Sequence, residues 1–262
     1  MMRVCGIVWV LVYLLSSLHA SALDTIISTK KLRVCIWPEY YGISYINPRT
    51  QELIGIDIDL AKALAKNLGA DVLFIESSFA NFIPDLQQKR CDIAMFAIGH
   101  TPERKAQVTL TSPHLQSDVY AIATKSNQRI KTWEDIDKEG VVVAVAKGTY
   151  HVGLMQKSLQ NAKLLIVESL HAREQEVLAG RADVFMTDYP FGMRVVKEKE
   201  WAKLISPTQL FNKTLYGWAL APEERALYTR VESFIERIKS DGTLLKAAKR
   251  HSLEPIVREE YP

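Results

Sequence analysis

The 262-residue chain reads as an α/β protein made of two βα lobes that face each other across a cleft. From Leu32 onward, short β-rich runs alternate with helical patterns, the order expected of parallel strands joined by helical crossovers. A strand, helix, strand, helix, strand series occurs twice, over 32–98 and 141–187, and each series ends in a polar turn. Ligands of open α/β sheets bind outside the carboxyl ends of the strands, so two such sheets set face to face make a binding cleft. Composition agrees, with 48% hydrophobic and 24% charged residues. These values exclude disordered, collagen-like and low-complexity classes. The length allows a core that needs neither disulfide nor metal.

The first element is a leader. Arg3 supplies a positive start, residues 6–15 (GIVWVLVYLL) an apolar stretch, and Ala20, Ser21 and Ala22 a small-residue cleavage site, so residues 1–22 read as a signal peptide cut after Ala22. The apolar run is too short for a membrane span, and Cys5 lies before it rather than after it, so no stable membrane anchor, lipid or helical, is expected. Formal net charge is +3, or +2 without the leader, with no basic block of five or more. That balance excludes a nucleic-acid reader. Cys35 and Cys91 remain after cleavage, each in or beside an apolar run. Without a CxxC pattern, buried free thiols are the expected state, a disulfide being the alternative open to an exported protein.

Strands are expected over 32–37, 71–76, 92–98, 119–125, 141–146, 163–167, 182–187 and 216–221. Asp57 opens a helix carrying Leu60, Leu64 and Leu68 on one stripe and stopping at Gly69; Ser169 precedes another that ends at Gly180. From Glu223, the residues Leu227, Val231, Phe234, Ile235 and Ile238 form a single apolar stripe, broken at Asp241 and Gly242.

Candidate chemistry lies where strands end. Arg104 follows the strand ending at Ile98, in a first helical turn with Thr101 as N-cap, Pro102 next and then Glu103. A cation there opposes the helix dipole, so it reads either as a solvated surface arginine or as a bidentate anion site. Lys147, Gly148, Thr149 and Tyr150 make a turn before a helix that begins near His151. It is either an ordinary turn or one whose N–H groups face an anion, with Gly148 permitting close approach and Thr149 able to cap. Asp188 ends the strand ADVFMT and is either an N-cap alone or a partner for an ammonium group. Together, Arg104 and Asp188 are what a zwitterion requires. Trp37, Tyr40 and Tyr41 after the first strand, and Phe79 after the second, are either core or pocket wall. The histidines at 100, 114, 151, 171 and 251 lack metal-ligand spacing, and no GxSxG, GxxxxGK[ST] or GxGxxG motif is present. Neither metal nor cofactor is expected.

The stretches LRVCIWPEYYGISY (32–45), GIDIDLAKAL (55–64), IPDLQ (83–87), CDIAM (91–95), TPER (101–104), KGTY (147–150), AGRADVFMTD (179–188) and SDGTLLK (240–246) occur in an order that resembles the extracellular solute-binding proteins of bacterial polar amino-acid ABC importers. The resemblance implies a type II periplasmic binding fold, each lobe a mostly parallel sheet flanked by helices and the two hinged by crossover strands. It places 23–116 and 215–262 in lobe 1 and 117–214 in lobe 2. It further implies a periplasmic monomer that carries an amino acid to an ABC permease. By the same resemblance, Arg104 clamps the ligand carboxylate, helped by backbone groups at Ala97, Gly99, Thr149 and Tyr150; Asp188 binds the ammonium; Tyr40, Phe79 and Trp37 line the ligand.

The chain departs from the family pattern at two places. Gly99 replaces a usual Ser or Thr, and Trp37 stands where binders of basic amino acids often carry an acid, so the resemblance implies a neutral, moderately bulky ligand. A few family members are periplasmic cyclohexadienyl (arogenate or prephenate) dehydratases, which use a carboxylic acid shortly after the equivalent of Asp188 as proton donor. Here Tyr189, Pro190, Phe191 and Gly192 follow, and the next acid is Glu198. The reading is therefore a binding protein and not an enzyme.

Overall fold

A computed structural model describes residues 21–258. The leader expectation lies outside these residues except at its last two. Ser21 caps the first helix through Asp24 N–H at 3.2 Å, and Ala22 N–H donates to Glu224 at 2.8 Å.

Helix α1 (Ala22–Thr29) precedes β1 (Lys31–Ile36). A small antiparallel sheet follows, of β2 (Glu39–Tyr40), β3 (Ser44–Ile46) and β4 (Leu53–Ile54). Then come α2 (Ile56–Asn67), β5 (Asp71–Glu76), α3 (Phe82–Gln87), β6 (Ile93–Gly99), α4 (Pro102–Lys105), β7 (Thr109–Leu110) and β8 (Leu115–Ser117). The chain next crosses to β9 (Val119–Thr124), β10 (Val142–Ala146), α5 (Tyr150–Ser158), β11 (Lys163–Val167), α6 (Leu170–Leu178), β12 (Val184–Asp188), α7 (Tyr189–Glu198) and β13 (Ala202–Ile205). It returns through β14 (Thr214–Leu220) to α8 (Arg225–Ser240) and α9 (Thr243–Arg250).

The strands form two main sheets. The first runs β5-β1-β6-β14-β7, with β8 also on β14; the second runs β11-β10-β12-β9-β13. In each, three parallel strands form one half, as the repeated βα series leads one to expect, and antiparallel strands complete a mixed sheet. Alternating sequence cannot reveal β2, β3, β4, β7 and β8, which have two or three residues each. Strand β6 is buried along its whole length, which is why it reads as a continuous apolar run. Helix α2 buries Leu60 and Leu64 on its stripe, with Gly69 at φ +67° just past its end.

Two local expectations are corrected. Asp57 is not the N-cap of α2: Gly55 takes that place. The Asp57 carboxylate is fully buried and accepts from Ala97 N–H at 2.7 Å and from the Trp218 indole at 2.8 Å. Cys35 and Cys91 are not free thiols but a disulfide with a Cα–Cα distance of 5.6 Å. The parallel register that sets Cys35 beside Ala94 brings Cys91 within bonding reach, and a register between distant strands is not written in local sequence.

Candidate functional site

The carboxyl ends of β1, β5 and β6 in one lobe face those of β10, β11 and β12 in the other, and the side chains between them are packed closely. A cavity of about 20 Å³ lies at the centre, walled by Tyr40 and Phe79 from the first lobe and by Tyr150, His151, Arg173 and Asp188 from the second. That space suits about one water molecule. A cavity of about 660 Å³ adjoins it, bounded by Phe79, Arg104, Gly148, Thr149, Tyr150 and Thr214 among others.

Arg104 owes its place to a capped first turn: Thr101 accepts the Arg104 N–H at 3.3 Å, and Pro102 occupies the first helical position. Its side chain is buried, stacked over Phe79 and Phe82 at 5.1 and 5.5 Å. One terminal nitrogen donates to Gly99 O and the other to Gly148 O in the opposite lobe, each at 3.0 Å. Both partners are neutral carbonyls, and burial pulls the guanidinium down to about 10, still charged at neutral pH.

Asp188 ends β12, and its carboxylate caps α7 by accepting Phe191 N–H at 3.4 Å. It also accepts from the Tyr216 hydroxyl at 2.8 Å and from the Tyr40 hydroxyl, so two phenols of the first lobe reach an acid of the second. Burial pushes the Asp188 carboxyl up, against the pull of these donors and of Arg173. Tyr150 extends the network through its hydroxyl, 3.2 Å from that of Tyr216.

Gly148 explains how the lobes come so close. It has φ +75°, and a Cβ there would lie 2.4 Å from Ala80 N and 2.5 Å from Phe79 C, backbone atoms of the other lobe. Thr149 stands at the N-cap of α5, but its hydroxyl donates to Ala146 O at 2.7 Å instead of capping. Gly99 is likewise constrained, since a Cβ there would sit 3.0 Å from Thr214 Cγ2 and 3.3 Å from Arg104 Nη1. A serine at 99 would crowd the guanidinium.

Of the residues anticipated from sequence, Arg104, Asp188, Gly99, Thr149, Tyr150, Tyr40 and Phe79 converge on this cleft. Ala97 offers no free backbone donor there, because its N–H is taken by Asp57, and its side chain is buried in a hydrophobic cluster that spans both lobes. Trp37 packs edge-on against Phe79 with ring centres 5.1 Å apart and is buried in that cluster together with Tyr40 and Phe79. Tyr41 stacks on Phe191 across the lobes at 4.9 Å. Sequence reasoning missed Tyr216, His151 and Arg173. Arg173 did leave a signal, since it shares the inward stripe of α6 with Leu170 and Val177, a position where a charge needs a reason. Among the described residues no group of three His, Cys, Asp or Glu side chains could hold a metal.

Known proteins resemble this chain in sequence and in fold. Cyclohexadienyl dehydratase of Pseudomonas aeruginosa is 30% identical over 237 residues, covering 89% of this chain and 87% of that protein. ABC transporter arginine-binding protein 1 of Escherichia coli K12 is 29% identical over 222 residues, covering 79% and 87%. The crystal structure of the ancestral amino acid-binding protein AncCDT-1, a precursor of cyclohexadienyl dehydratase, superposes with a TM-score of 0.80 at 33% identity, covering 88% of this chain and 99% of that one. Residues 32–254 match a single family over nearly the whole described length. The chain belongs to the bacterial extracellular solute-binding proteins, family 3.

Proposed function

We propose that the protein captures an amino acid or closely related small carboxylate in the periplasm and delivers it to an ABC permease. One observation carries this reading: a buried arginine of one lobe and a buried carboxylate of the other, Arg104 and Asp188, face a common cleft and hold it shut through bonds that cross it. Arg104 takes the ligand carboxylate, exchanging its contact with Gly148 O for a charge-assisted pair. Asp188 takes the ammonium group, with Tyr40 and Tyr216 orienting it. Gly99, Thr149 and Tyr150 supply the remaining polar contacts, and Phe79 the apolar wall. Residues 117–214 move as one lobe against 23–116 and 215–262, and differential contacts with the closed form drive the closure. The mature chain begins at Leu23, which mass spectrometry of a periplasmic extract measures directly.

The test is calorimetry on protein stripped of carried-over ligand by unfolding and refolding. An amino acid or small carboxylate binds the wild type, and Arg104→Ala weakens it by roughly 2 kcal/mol or more, since a charged partner is lost. Unchanged affinity in that variant would sink the assignment.

The dehydratase relative favours a second reading, in which a carboxyl of the cleft protonates a leaving hydroxyl. Asp188 is the one carboxyl lining the central cavity, and Glu198 instead pairs with Arg194 on α7 at 2.5 Å. Consumption of prephenate or arogenate by the wild type, lost in Asp188→Asn, would move the assignment to the enzyme.

A further inference from the structure

The amino-acid reading uses one buried arginine of the cleft, and among the described residues the cleft holds a second. Arg173 projects from α6, is 1% exposed, and helps to wall the central cavity beside Asp188 and Tyr40. Phe185 and Phe191 flank its guanidinium at 4.7 and 4.4 Å, fixing it in place. Its hydrogen bonds go to neutral acceptors, Met186 O at 2.6 Å and Thr187 Oγ1 at 3.4 Å, while Nε is buried without a partner. Asp188 stands near enough to favour its charge, but the Asp188 oxygens are engaged by Tyr40, Tyr216 and Phe191.

Both buried arginines of the cleft thus spend their side-chain hydrogen bonds on neutral oxygens, Arg104 on Gly99 O and Gly148 O and Arg173 on Met186 O and Thr187 Oγ1. His151, which also walls the central cavity, offers no counter-charge: it is held neutral, its pKa lowered to about 3 by burial and by the two arginines. Glu174, next to Arg173, is also buried, which raises its pKa, and the hydrogen bonds of the Arg173 guanidinium go elsewhere, to Met186 O and Thr187 Oγ1. An amino acid with a neutral side chain adds no net charge, and a basic one adds a third cation. Leaving a buried charge without a charged hydrogen-bond partner is strongly unfavourable, and a second ligand carboxylate gives Arg173 that partner.

We propose that Arg173 is a second anion anchor, so that the cleft selects a ligand carrying two carboxylates, one for Arg104 and one for Arg173: an acidic amino acid or a related dicarboxylate. This rests on the capture reading above and names its ligand class. It departs from the neutral ligand implied by family resemblance.

Calorimetry on the stripped wild type with L-glutamate, L-glutamine, L-aspartate, L-asparagine, L-arginine, succinate and arogenate tests it. Each acid is expected to bind at least about 10-fold more tightly than its amide, the worth of one charge-assisted contact. Arg173→Met brings the ratio near one by weakening the acid and not the amide, and Arg173→Lys retains most of it. Glutamate far above succinate assigns an amino acid; parity between them assigns a simple dicarboxylate; arogenate above both assigns a ligand with two carboxylates on a larger frame. Any of the three supports the proposal. Glutamine or arginine binding as tightly as glutamate overturns it and leaves the capture reading intact, while no binding of any probe overturns both. Should Arg173→Met lose its native circular dichroism, the acid-to-amide ratio of the wild type still decides.

Discussion

Gly148→Ala separates lobe closure from folding. In the closed form the added Cβ would lie 2.4 Å from Ala80 N, 2.5 Å from Phe79 C and 2.7 Å from Ala80 Cα. Ordinary carbon contacts begin near 3.5 Å, so the lobes must stand about 1 Å further apart at this point. That displacement carries Arg104 and Gly148 O, now 3.0 Å apart, out of hydrogen-bond range and stretches the Tyr216 to Asp188 bond of 2.8 Å. In the bound form the ligand carboxylate replaces Gly148 O at Arg104, so the same displacement instead stretches the two charged contacts by which the ligand bridges Arg104 and Asp188; at about 1.5 kcal/mol each they give roughly 3 kcal/mol against closure, or about 100-fold in affinity. The φ of +75° adds about 1 to 2 kcal/mol of strain, but it acts on open and closed forms alike and lowers stability rather than affinity. Gly180→Ala isolates that strain, because Gly180 has φ +70° and a Cβ added there would meet nothing within 4 Å. Calorimetry and small-angle scattering are the assays. Gly148→Ala should bind about 100-fold more weakly and remain expanded with ligand, while Gly180→Ala should bind and compact like the wild type at a reduced melting temperature. Wild-type affinity and compaction in Gly148→Ala would refute the close approach as the condition for closure.

Further outcomes follow from other contacts. Tyr216→Phe removes one donor from the buried Asp188 carboxylate and should weaken an amino acid by about 1.5 to 3 kcal/mol; its deaminated analogue should change less, and equal losses would exclude an ammonium role for Asp188. Replacing both Cys35 and Cys91 by alanine opens a loop with a sequence separation of 56 and should reduce unfolding free energy by about 4 kcal/mol in urea, a loss under about 1 kcal/mol contradicting a structural role. Acid should destabilise the fold through His151, buried and held down to about 3 against an ordinary 6.5. The unfolded chain binds a proton there that the folded chain refuses, so stability falls as pH drops from 6.5, by about 1.4 kcal/mol per pH unit until the folded pKa is reached. The slope over pH 6 to 4 should be shallower in His151→Gln; an identical slope would assign the acid sensitivity elsewhere.

The sequence by itself determined the repeated βα order, the stripe of α8 with its break at Gly242, and the capped turn that presents Arg104, because each is a regularity of neighbouring residues. Asp188 was legible for the same reason, as an acid at a strand's end that also caps α7. Tertiary structure alone decided which distant residues meet. The Cys35 to Cys91 bridge depends on the register of β1 with β6. The contact of Gly148 with Phe79 and Ala80 depends on how one lobe seats on the other. Asp57 reads locally as a helix cap, yet it is consumed by Ala97 and by Trp218, 161 positions away. Arg173 shows the boundary between the two: its place on an apolar stripe is visible in the sequence, but that the stripe ends against a cleft, beside Asp188, is a fact of packing. Local preference acts over a turn or a strand, whereas a site between lobes is set by contacts whose partners are far apart along the chain.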